Sequence, residues 1–133
     1  MKKMVYSLLA VGLLCVVGFA GVQRSQAASE TELRPMQKAM QARAAWVKAI
    51  TANLDTMKYA EVKKDATDLA AQASTMAEKN PNPLAKELTL KLSTQATALA
   101  DAAGKKDGGT AKSKLAQVNA TCGECHAKIR DKK

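Results

Sequence analysis

Aromatic side chains are nearly missing: one Trp, two Tyr and one Phe occur in 133 residues. Proteins that hold single-stranded nucleic acid stack bases on such rings. The basic balance of the chain, a net charge of +9, therefore does not point to nucleic acid. Histidine occurs once, as His126, so no Ser-His-Asp set exists beyond that ring, and no enzymatic activity is expected. Alternating apolar and polar runs and β-branched clusters are absent, and no strand is predicted. Cysteine occurs three times, at positions 15, 122 and 125, too few for a disulfide framework.

Long apolar runs are also scarce, with one exception at the start. Lys2-Lys3 precedes an uncharged apolar run over residues 8–20, followed by the small and polar stretch Ser25-Gln26-Ala27-Ala28. A basic start, an apolar middle and small residues before a cut make a secretory signal. The expected cut follows Ala27, with Ala20 as second choice, leaving residues 28–133 as one periplasmic domain. The run approaches the roughly 20 residues a bilayer needs, so an uncleaved membrane anchor is the rival. A lipid anchor at Cys15 is disfavoured because Leu14 stands where a small residue belongs. The leader contains Lys2, Lys3 and Arg24 and no acid, so the net charge falls by three to +6 on the remainder. That charge is spread over solvated helix faces and allows an acidic protein partner.

The remainder reads as four amphipathic helices rich in Ala, Leu, Lys, Gln and Glu, all good helix formers. The first, over residues 30–54, has Ser29 or Thr31 as N-cap and the apolar seam Leu33, Met36, Met40, Val47, Ile50 and Leu54. Arg43 lies on that seam, an unusual place for a charge. The second spans residues 59–79 with the seam Tyr59, Val62, Ala66, Leu69, Ala73 and Met76, and Asn80-Pro81-Asn82-Pro83 ends it. The third spans residues 83–103 along Leu84, Leu88, Leu92, Ala96 and Leu99, up to the breaker Gly104 to Gly109. The fourth spans residues 110–130 along Ala111, Leu115, Val118, Cys122, Cys125 and Ile129. Four such helices joined by short loops predict an all-α, antiparallel up-down-up-down four-helix bundle. Its alanine-rich seams either bring helices very close together or leave space for a bound group.

The fourth helix carries Cys122-Gly123-Glu124-Cys125-His126. This C-x-x-C-H is the attachment pattern of c-type haem. Two thiols at i and i+3 share a helix face and reach the two vinyl groups on one side of the ring, and the adjacent imidazole falls under the iron. The cofactor expected is one covalent haem c, with Cys122, Cys125 and His126 holding it. Three other readings were weighed. Structural zinc needs four ligands, and no second pair exists. A thioredoxin-like pair expects strands around it. A short disulfide would leave His126 without a role.

With Ile129 and Arg130 following, the stretch resembles the class II c-type cytochromes: cytochrome c prime and its low-spin, methionine-ligated relatives. The stretch Met40-Gln41-Ala42-Arg43-Ala44-Ala45-Trp46-Val47-Lys48-Ala49-Ile50 is similar to the family's first-helix run, although Met36 stands where the family commonly has a basic residue. The resemblance implies a sixth iron ligand from Met40, with Met36 as the alternate, and a one-electron carrier that meets redox partner proteins. An open sixth site would instead imply a protein that binds nitric oxide or carbon monoxide. A helical envelope protein without haem is the third possibility. Arg43 and Arg130 are expected to pair with the haem propionates, because a guanidinium matches a carboxylate in two hydrogen bonds. Family members often pair through their first two helices, which allows a homodimer.

Overall fold

The computed structural model describes residues 34–131. Four helices follow one another: α1 Pro35–Asp55, α2 Tyr59–Lys79, α3 Pro83–Gly104 and α4 Gly108–Cys125, the last running into a π-helical turn, His126–Arg130. They form the expected up-down-up-down four-helix bundle, with no strand among the described residues. None of their helices is long and apolar enough to cross a membrane. The expected leader, residues 1–27, lies outside the described residues.

The start of α1 departs from the expected one. Arg34 is extended, with φ −55° and ψ 147°, and the helix begins at Pro35 rather than Glu30. Proline pushes its predecessor out of the helical region and has no N–H to lose at a first helical position. The Gln37 side chain then reaches back to accept from the Arg34 N–H at 2.9 Å. The starts of α3 and α4 are capped by side chains, whereas that of α2, at Lys58, is not. Asn82 Oδ1 accepts from the N–H groups of Leu84 (3.0 Å) and Ala85 (3.1 Å), and Asp107 Oδ1 accepts from Thr110 N–H at 3.0 Å.

Two turns at one end of the bundle share a geometry. After α1, Met57 N–H donates to Leu54 and Lys58 N–H to Asn53; after α3, Lys106 N–H donates to Ala103 and Asp107 N–H to Ala102. This is the double hydrogen bond of a Schellman motif, and it requires a left-handed residue. Met57 (φ 55°) and Lys106 (φ 56°) fill that place without being glycine.

The core falls into two clusters along the bundle. One, nearer these turns, includes Ile50, Leu54, Val62, Ala66, Leu99 and Leu115. The other gathers Leu69, Ala70, Ala73, Leu92, Ala96 and Val118, with Trp46, Val47 and Cys122 packed against it. Alanines on both sides let α2 and α3 pack most closely, whereas α1 and α4 touch least of the four neighbouring helix pairs around the bundle. A gap between two helices of a bundle is where such folds build ligand sites.

Candidate functional site

The gap between α1 and α4 is a cleft of about 190 Å³. Met40, Arg43 and Val47 line it from α1, Leu88, Thr89 and Leu92 from α3, and Asn119, Thr121, Cys122 and Cys125 from α4, with His126 beyond. It lies at the end of the bundle where α1 and α3 begin and α4 finishes, away from the two Schellman turns. Its surface is chiefly apolar and one side opens to solvent.

Helical spacing explains what α4 presents. Cys122 and Cys125 are half-buried and free of any disulfide. Burial pushes the Cys122 thiol above its ordinary value, a shift opposed by the charge of Arg43 and slightly reinforced by Cys125. A thiol held protonated is a poor nucleophile for disulfide exchange. This argues against a thioredoxin-like role for the pair. Among the described residues no three His, Cys, Asp or Glu side chains converge as a metal site.

His126 is the first residue of the π-helical turn. Its N–H is shared between the carbonyls of Cys122 and Gly123, and its own carbonyl accepts from Asp131 N–H at 2.9 Å. Widened turns of this kind recur inside helices at functional sites. The turn is held to α3 by Glu124, whose carboxylate pairs with Lys91 at 3.1 Å and with Lys128 at 2.6 Å. One residue before Cys122, buried Thr121 donates to Gln95 of α3 at 2.8 Å. The C-x-x-C-H stretch is thus fastened to α3 at two points, Thr121 just before it and Glu124 within it.

Arg43 is only 8% exposed. Its Nε donates to Gln72 Oε1 at 2.8 Å and its Nη2 to Met76 Sδ at 3.3 Å, both on α2. Burial pushes the guanidinium below its ordinary value, and the two cysteines push it back up. It remains charged, since arginine does not lose its proton in proteins.

The two candidate methionines part company. Met40 lines the cleft with the C-x-x-C-H residues. Met36 is 48% exposed and lines a separate groove with Ala39, Gln72, Met76 and Pro81. Arg130 is not brought to the cleft either. Its Nε donates to Asp131 Oδ1 at 2.6 Å and its Nη2 to Oδ2 at 3.2 Å, out in solvent. Gln72 was not singled out from the sequence, although its place between Leu69 and Met76 on the inner side of α2 was the available sign.

No family model, curated protein or solved structure matches the chain. The functional reading therefore rests on the residues of the cleft.

Those residues fit a c-type haem by their chemistry. Two free thiols three apart, one imidazole next to them and one thioether from the facing helix are the donors such a group takes. The apolar walls suit a porphyrin.

Proposed function

We propose that this chain is an exported monohaem c-type cytochrome that carries single electrons between proteins. One observation carries the reading: Met40 of α1, Cys122 and Cys125 of α4 and His126 just beyond it line the same cleft, between the two neighbouring helices that pack least. Cys122 and Cys125 would hold the group through two thioether bonds, each thiol adding its sulfur and its proton across one vinyl double bond with nothing oxidised or reduced. His126 would offer a nitrogen and Met40 a sulfur to its iron. The bound group supplies an iron that accepts and returns one electron.

The apolar walls of Val47, Leu88 and Leu92 keep water from the iron side of the cleft. Its volume of about 190 Å³ is below the roughly 300 Å³ at which ordinary ligand pockets begin. A porphyrin seated there leaves one edge outside, as a carrier needs for brief encounters with redox partners. Export follows from the leader pattern of residues 1–27 and matches the place where c-type haem is attached.

The test is the protein purified from a host competent in cytochrome c maturation, examined by mass and by visible absorption, oxidised and reduced, with and without carbon monoxide. One added porphyrin and a low-spin spectrum indifferent to carbon monoxide are expected. A high-spin spectrum that shifts with carbon monoxide would replace the electron carrier by a gas-binding protein at the same cleft. A colourless product without porphyrin mass overturns the reading altogether.

A further inference from the structure

Arg43 is the one permanently charged side chain on the cleft wall. A buried charge normally has a charge partner, because taking an ion out of water is costly. Here no carboxylate among the described residues pairs with it. Its partners are an amide oxygen and a thioether sulfur, Gln72 Oε1 and Met76 Sδ, and both are neutral. Gln72 is itself oriented from α1: its Nε2 donates to the Ala39 carbonyl at 3.5 Å, which turns its oxygen toward Arg43. The amide therefore fixes where the guanidinium sits without cancelling its charge.

An uncancelled charge in a poorly polarisable surrounding acts over a longer reach than one in water. Arg43 lines the same cleft as Cys122, Cys125 and His126, so its charge lies close to the atoms that would hold the porphyrin. Uptake of one electron removes one positive charge from the centre. A fixed cation alongside favours the reduced form by Coulomb attraction.

We propose that Gln72 is a positioning residue that sets the reduction potential of the site, by holding Arg43 against the cleft as a cation without a counter-charge. The inference rests on the haem reading of the previous section. It adds a residue of α2 that does not line the cleft.

The test uses the holoprotein and three variants in a spectroelectrochemical titration. Gln72→Glu keeps the length and the acceptor but supplies a carboxylate to Arg43. It should shift the oxidised-to-reduced ratio at a fixed poise about tenfold toward oxidised, equivalent to a potential lower by about 59 mV for one electron. Arg43→Met should shift it in the same direction, and does not depend on the glutamate variant folding. Gln72→Leu removes the hydrogen bond without adding charge and should shift it clearly less than Gln72→Glu. If Gln72 were merely structural, the Leu and Glu variants would move the potential alike; that result overturns the proposal, as does a potential unchanged in both Gln72→Glu and Arg43→Met. These outcomes are read only from coloured protein, so a failure here is distinct from the absence of porphyrin, which would sink both readings.

Discussion

Thr121 Oγ1 donates to Gln95 Oε1 at 2.8 Å, joining α4 to α3 one residue before Cys122. Thr121 is buried and Gln95 half-buried. Replacing Thr121 by Val leaves the amide oxygen short of a donor and should cost about 1 kcal/mol, whereas replacing both residues, as in Thr121→Val with Gln95→Leu, should cost less, because no polar group is stranded. Thermal melts check this: a loss of 1 kcal/mol lowers the midpoint of a domain this size by roughly 4–8 °C.

The separation of Met40 from Met36 gives a direct spectroscopic expectation. Met40→Ala should turn a low-spin spectrum high-spin and open the site to carbon monoxide. Met36→Ala should leave the spectrum as it was, since its side chain lines another groove. A low-spin spectrum that survives in Met40→Ala would mean that another group is the distal ligand.

Glu124 provides a pH-dependent fastening. The hydrogen bond from Lys128 first, and then that from Lys91, hold its carboxyl below the ordinary carboxylate range. The folded protein then binds this proton less readily than the unfolded chain does. The stabilisation is present above the ordinary glutamate value of about 4.3 and is lost as pH falls through the lower folded value. Glu124→Gln should melt below the wild type at pH 7, and the two melting curves should converge in acid. Added salt should narrow the difference at neutral pH, because the group is at the surface.

Met57 and Lys106 occupy left-handed positions that cost an ordinary residue about 1–2 kcal/mol. Met57→Gly and Lys106→Gly should each therefore stabilise the bundle by roughly 1 kcal/mol, offset in part by the freer unfolded chain. Denaturant midpoints should rise in both variants.

What could be read from the chain follows from the range of the forces involved. The bounds of α2 are legible because a steady apolar period ends at Asn80-Pro81, and both signals are local. The start of α1 is less legible, because the apolar period continues back to Leu33 while the local rule at Pro35, which puts Arg34 out of the helix, sets the boundary. Met36 and Met40 look equivalent on a helical seam. They differ because Met36 sits in the first turn, outside the cleft that Met40 shares with α4. The oddity of Arg43 is visible in the sequence, but its partners Gln72 and Met76 depend on how α1 and α2 are set against each other. The π-helical turn after Cys125 has no compositional mark at all.

The sparse meeting of α1 and α4 has a consequence for cooperativity. Most of the packing joins helices adjacent along the chain, so the bundle behaves as a row of three interfaces more than as a closed barrel. Its first and last helices communicate mainly through whatever fills the space between them. A molecule bonded to one and ligated by the other would act as a clasp, tying the stability of the two outer helices together.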